Sequence, residues 1–173
     1  MIDMPAVLSL DDVPYAYGKP GAKARIRSTP ADFVVEEIPG FEPSGRGDHV
    51  FLTLQKTQMT TNAVVGELKK FTGLRDRDIG VAGMKDKNAV TTQTFSLNMS
   101  AKQEPDWQQL ASDNLQVKAV SRHNRKLKRG VLKGNRFTLT LRELQADSED
   151  LQTRLTQIAA HGVPNYFGPQ RFG

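Results

Sequence analysis

The stretch His49–Gly73, "HVFLTLQKTQMTTNAVVGELKKFTG", decides the fold class because it changes period midway. In "HVFLTLQK" Val50, Leu52 and Leu54 fall on one side, and His49, Phe51, Thr53 and Gln55 on the other. That alternation predicts a half-buried strand. "TTNAVVGELKKFTG" instead places Val64, Val65, Leu68 and Phe71 on a helical stripe. Thr60, Thr61 or Asn62 can cap that helix, and Gly73 ends it.

Further strands are predicted around this pair. "KARIRS" and "DFVVEEI" precede it, with "PGFEPSGRGDH" as a Gly/Pro turn region. "DIGVAG", "TTQTFSLN", "LQVKAV" and "NRFTLTLRE" follow it. "PDWQQLAS" reads as a short helix with Pro105 near its start. "SEDLQTRLTQIAAHG" reads as an amphipathic helix capped by Asp147 or Ser148, with Leu151, Leu155, Ile158 and Ala159 inward. Strands and helices do not alternate as a doubly wound parallel sheet requires. The expectation is an α+β fold with a mixed, mainly antiparallel sheet flanked by helices.

With 173 residues, 38% hydrophobic and 25% charged, the chain has the balance of a globular domain with a core. No window reaches the ~18 consecutive apolar residues of a membrane span, so no membrane partner is expected. The first residues lack a basic region before an apolar run, which argues against a secretory signal. The absence of cysteine excludes disulfides, thiolate catalysis and Cys-based metal sites. The cytoplasm is the expected compartment.

The formal charge is +5, and it is localised. Nine of the 24 basic residues lie between Val117 and Arg142: Lys118, Arg122, Arg125, Lys126, Lys128, Arg129, Lys133, Arg136 and Arg142. No acid interrupts them, while the rest of the chain has 15 basic and 19 acidic residues. A solvated charged face is the ordinary reading of a short charge run. The length of this one favours a polyanion, with Arg122, Arg125, Lys126, Lys128, Arg129, Lys133 and Arg136 tethering phosphates.

Several common motifs fail. "GKPGAKA" lacks phosphate-loop spacing. "RGD" at Arg46–Asp48 is a turn tripeptide of high chance frequency. His49, His123 and His161 are scattered, with no carboxylate cluster at ligand spacing, so no metal site is expected. The stretch "AGMKDKNAVTTQ", Ala82–Gln93, is more informative: it sets Asp86 between Lys85 and Lys87. Alone this is an ordinary solvated turn. At the end of a strand-like run and beside cations, however, the charged carboxylate is favoured, which suits a nucleophile or a general base. In "RHNRKLKRGVLKGNRF", Gly134 lets a backbone approach, Asn135 offers an amide for a base edge, and Phe137 a face for stacking. Phe137 also alternates with Leu139 and Leu141, as a core strand residue would.

Four ordered motifs, "TPADFVVEEIPGFEPSGRGDH", "GMKDKNAVTTQ", "RKLKRGVLKGNRF" and "GVPNYFGPQRFG", closely resemble the TruD-type tRNA pseudouridine synthases. The resemblance implies isomerisation of uridine to pseudouridine in tRNA, at position 13 of the D arm, with a flipped-out base and no cofactor. It implies tRNA as partner and Asp86 as the catalytic aspartate, attacking C1′ or abstracting a ribose proton. Phe137 would stack on the target base, Asn135 would orient the aspartate or the uracil edge, and Phe33 would line the pocket. Arg27 could pair with Asp86 or lie on a solvated strand face. Lys85 and Lys87 would keep Asp86 charged or contact phosphate.

By the same resemblance, residues 1–161 form the N-terminal part of the catalytic domain, and 162–173 a junction leading to an inserted domain. A monomer is the expected state. The competing expectation is a non-catalytic or truncated RNA-binding fragment that uses segment 117–142.

Overall fold

The structure, a computed structural model, describes residues 14–164. The motif ending "NYFGPQRFG" therefore lies outside the described residues, with Tyr166, Phe167 and Phe172. The chain divides into two compact units, 25–142 and a second made of segments from both ends.

The 25–142 unit is built on a six-stranded mixed sheet. Its strands are β2 (Phe33–Ile38), β3 (His49–Thr57), β4 (Ile79–Val81), β5 (Val90–Asn98), β6 (Leu115–His123) and β7 (Gly134–Leu139). Their order is β6-β3-β5-β2-β7, with β4 pairing beside β2 on β5. Only β2 and β5 run parallel; the other pairs are antiparallel. This is the expected α+β class.

Helix α1 (Thr61–Thr72) follows β3. The Thr60 hydroxyl caps it by accepting from Ala63 N at 3.1 Å. Gly73 closes it at φ +65°, a left-handed conformation that glycine adopts without steric cost. Val64 and Leu68 bury against Val50, Leu52 and Leu54 of β3, Phe95 and Leu97 of β5, and Trp107 and Leu110. Each such side chain contributes about 1.5–3 kcal/mol by leaving water. "PDWQQLAS" forms only a 3₁₀ turn, Trp107–Leu110, with Asp106 as its cap.

"NRFTLTLRE" is not one strand. It breaks into β7 and β8 (Arg142–Gln145) because the intervening residues are drawn onto Asp32. Thr140 N donates to the Asp32 carbonyl at 2.8 Å. Arg142 grips the Asp32 carboxylate through Nε and Nη2 at 2.7–3.0 Å, and Glu143 turns the backbone at φ 51°. The Arg142 hydrogen bond, aided by Thr29 and opposed by burial, lowers the Asp32 carboxyl from 3.8 to about 2. A depressed folded-state value means that this pair stabilises the fold above about pH 4 and ceases to as pH falls toward 2. Urea unfolding across that range should show a shallower acid loss in Arg142→Leu than in the unmodified protein.

The second unit holds the two-stranded sheet of β1 (Lys23–Arg25) with β8, whose strands run to its boundary, and α2 (Ser148–His161). Asp147 caps α2 by accepting from Asp150 N at 2.8 Å. Arg154 ties the helix to the Tyr17 carbonyl at 2.6 Å. The expected inward stripe is not buried: Leu155, Ile158 and Ala159 are exposed and Leu151 is half-buried. Within this unit the described residues supply only the Pro14–Pro20 segment, Val163 and Pro164 around Ile158. Amphipathic spacing states which side is apolar, not that a partner covers it. No helix among the described residues is long and apolar enough to cross a membrane.

Candidate functional site

Strand register builds the site. Residues directly opposite each other share a face of the sheet. Lys56 pairs with Thr91, Thr91 with Val35, and Val35 with Phe137, so one row crosses β3, β5, β2 and β7. Phe33 opposite Leu139 and Glu37 opposite Asn135 flank that row on the same face. Helix α1 covers this face over β3 and β5, the loop 82–89 lies beside it, and on β7 it carries the exposed Phe137 and Leu139.

The loop carrying Asp86 joins β4 to β5 and is held by buried polar side chains. The Thr61 hydroxyl accepts from Lys85 N at 3.0 Å and donates to Gln93 Oε1 at 3.0 Å. Gln93 Nε2 donates to the Gly83 carbonyl at 2.6 Å. Lys56 Nζ donates to the Asp86 carbonyl at 2.7 Å and to that of Met59 at 2.6 Å. Ala89 packs with Phe33 and Val35, bringing the loop against the aromatic side of the row. Asp86 itself is half-buried.

Lys85 forms its ion pair with another carboxylate, not with Asp86. Its ammonium pairs with Glu37 at 3.0 Å, both side chains being 5% exposed. Lys87 is exposed. A second buried cation, Lys56, feels the charge of Asp86. Burial pulls it from 10.5 to about 8, Asp86 opposes that fall, and Lys85 adds to it.

Arg27 forms no pair with Asp86. Its guanidinium lies over the Phe33 ring, 3.8 Å from the centroid. Its backbone is left-handed at φ 57°, a conformation that costs a non-glycine residue roughly 1–2 kcal/mol. The cation–π contact offsets part of that. Phe33 also meets Phe137 edge to face, with centroids 6.0 Å apart and planes at 66°.

Phe137 is not the core residue its alternation allows. It is 55% exposed, on an edge strand of the sheet. Asn135 is half-buried, with an Oδ1 that has no hydrogen-bond partner. A side chain at Gly134 would meet open space, so the protein's own packing does not demand glycine there.

The basic segment divides in two. Arg122 is committed internally, to Glu104 and to the Gly47 carbonyl. Lys126 donates to the Arg77 carbonyl at 2.7 Å. Arg125, Lys128, Arg129, Lys133 and Arg136 are exposed, and their side chains have no ion pair among the described residues. The loop bearing most of them is docked through buried Leu127 and through Gly130 N donating to the Ala82 carbonyl at 2.8 Å. Arg136 alternates with Phe137 and so faces the other side of the sheet. A cleft of about 320 Å³ on that other side, around Phe41, Phe51 and Leu127, is lined by none of Asp86, Phe33, Asn135 and Phe137.

Lys56, Thr61, Gln93 and Glu37 escaped the sequence reading of the site. A signal existed for three of them. Lys56 is in phase with Val50, Leu52 and Leu54, Gln93 with Phe95 and Leu97, and Glu37 with Phe33 and Val35. A polar residue in step with a buried face must be satisfied internally, and so must meet a partner there.

The described residues thus offer a strand-borne aromatic pair, an aspartate on a braced loop and a set of exposed cations on a neighbouring loop. Known proteins sharpen this. A family model described as tRNA pseudouridine synthase D (TruD) matches residues 9–173. The chain is 47% identical over its whole length to tRNA pseudouridine synthase D of Methylococcus capsulatus, covering 49% of that protein. It is 53% identical over 162 residues to that of Nitrosococcus oceani, covering 91% of this chain and 45% of that one. A crystal structure described as a TruD from Methanosarcina mazei superposes with TM-score 0.73 at 30% identity, over 87% of this chain and 35% of the other. The chain belongs to the tRNA pseudouridine synthase D (TruD) family. It spans about half the length of the curated relatives it matches.

Proposed function

We propose that this chain carries the target-base pocket and the reacting aspartate of a tRNA pseudouridine synthase. The observation that carries the reading is the row Lys56–Thr91–Val35–Phe137, with Asp86 braced on it, in a chain of this family. A uridine of the D arm, at position 13, leaves its stack and enters beside Phe137 and Phe33. The exposed Phe137 ring supplies the stacking face. The unpartnered Asn135 Oδ1 accepts an N–H from the uracil edge. Arg125, Lys128, Arg129 and Lys133 hold the backbone.

Asp86 then attacks C1′ or takes a ribose proton, and the N1–C1′ bond breaks. The uracil turns, and C5 bonds to C1′. The C5 proton is lost, N1 gains one, and Asp86 is released unchanged. No electrons are exchanged with any other species. Residues 1–161 are read as part of the catalytic domain and 162–173 as a junction.

The test is pseudouridine formation in unmodified tRNA by the full product of the gene. Phe137→Ala should lower kcat/KM by about 10- to 100-fold, the 1–3 kcal/mol that base–aromatic stacking is worth. Phe137→Tyr should restore most of it. No pseudouridine with the unmodified protein, or full activity in Phe137→Ala, would overturn the reading.

A further inference from the structure

Lys56 ends the buried side of β3 with a residue 1% exposed. An ammonium withdrawn from water needs full compensation. Its hydrogen-bond partners are two carbonyls, of Met59 and Asp86, at 2.6 and 2.7 Å. The first lies on the corner between β3 and α1, where Gln58 is left-handed at φ 55°. The second is the backbone of the residue assigned the reaction. No carboxylate lies within ion-pairing distance of Lys56 among the described residues. A purely apolar end to β3 would need neither carbonyl turned inward. The arrangement ties a buried charge to the position of one loop.

The surroundings define what this charge responds to. From the loop it faces Asp86 and Lys85, and from β2 Glu37 neutralises Lys85. Its register partners, Thr91 on β5 and Leu115 on β6, do not titrate, nor do Gln58, Met59, Thr60 or Thr61. Asp86 is thus the carboxylate that the Lys56 charge serves.

We infer that Lys56 is a positioning residue for Asp86: its ammonium clamps the Asp86 backbone against the β3–α1 corner and fixes the point from which the carboxylate projects. This rests on the reading of Asp86 as the reacting group. A neutral amine donates weaker hydrogen bonds than an ammonium. Since Lys56 loses its proton near pH 8, the protonated, clamping form is present below that pH and lost above it.

The experiment measures kcat and KM for tRNA against pH in the full gene product. The unmodified protein should lose kcat above about pH 8. Lys56→Met should lower kcat by about 10²-fold, the scale of a misplaced reacting group, with KM within about threefold and no limb near pH 8. Lys56→Arg, which keeps its charge, should recover part of kcat and lack that limb. A Lys56→Met protein with kcat within twofold of the parent, or with the parent's pH profile, would overturn the inference.

Should the substituted proteins not fold, NMR titration of the Lys56 side chain in the parent and in Asp86→Asn decides. Removing the Asp86 charge should lower the Lys56 pKa, and an unchanged titration would overturn the coupling. The two readings separate cleanly. Full activity in Asp86→Asn sinks the functional reading; an inactive Asp86→Asn with a normal Lys56→Met sinks only the role of Lys56.

Discussion

Asp86→Asn is expected to cut pseudouridine formation by about three orders of magnitude or more, as loss of a reacting group does in other enzymes, while tRNA affinity stays within about threefold. Asparagine has nearly the shape of aspartate but neither its nucleophilicity nor its basicity. The contacts that hold the loop act on backbone atoms: the Asp86 carbonyl, Lys85 N and the Gly83 carbonyl. They do not depend on the carboxylate, so the loop should keep its place. The exposed cations at 125–133 are likewise untouched, so the phosphate binding proposed for them should persist. Release of tritium from C5-labelled uridine in tRNA reports the chemistry, and fluorescence anisotropy reports the binding. Undiminished tritium release would remove Asp86 from the reaction. A parallel collapse of affinity would make its role structural.

The second large effect falls on stability. Glu37→Ala should destabilise the fold by about 3–5 kcal/mol, the cost of stranding one member of a buried ion pair. Glu37 and Lys85 are each only 5% exposed and 3.0 Å apart. Truncating Glu37 leaves the Lys85 ammonium buried beside Lys56, a second cation in the same low-dielectric region. The double change Glu37→Leu, Lys85→Met removes both charges and should recover most of the loss, because an apolar pair of similar volume is often no worse than the ions. Urea unfolding of the two proteins against the parent provides the numbers. A loss below about 1 kcal/mol in Glu37→Ala would mean that water reaches Lys85.

These two residues mark how far the sequence could be followed. Asp86 stood out because its neighbours, order and spacing resemble a family motif. Glu37 did not, although it lies in the same strand as Phe33. The alternation of "DFVVEEI" states only that Glu37 shares a face with Phe33 and Val35. Knowing that the face is buried, and that Lys85 arrives from 48 positions along the chain, requires the parallel pairing of β2 with β5. Thr61 was invisible for the same reason, and so was the partner of Gln93: their hydrogen bond joins a helix start to a strand 32 residues later.

Other differences come from coverage. The alternation of Phe137, Leu139 and Leu141 is real, yet all three are exposed: the first two lie on β7 at the sheet edge, and Leu141 falls beyond its end. Helix α2 has its apolar stripe for the same local reasons that α1 has one. The stripe of α1 is buried on the six-stranded sheet, whereas the residues of the α2 stripe are exposed or half-buried. Arg122 belongs to an uninterrupted basic run, but Glu104 has claimed it.

By itself the sequence determined the α+β class, the presence of α1 and its end at Gly73, the localised positive charge and the residue types available for chemistry. Each of these follows from local rules: period, capping, turn preference and net charge along the chain. The tertiary structure alone decided which residues meet. It aligned Lys56, Thr91, Val35 and Phe137 in one row, gave Lys85 to Glu37 instead of Asp86, and set Arg27 on Phe33. The physical reason is that a buried charge or polar group takes whichever partner the strand register brings within about 3 Å, and register is a property of paired strands that no single segment contains.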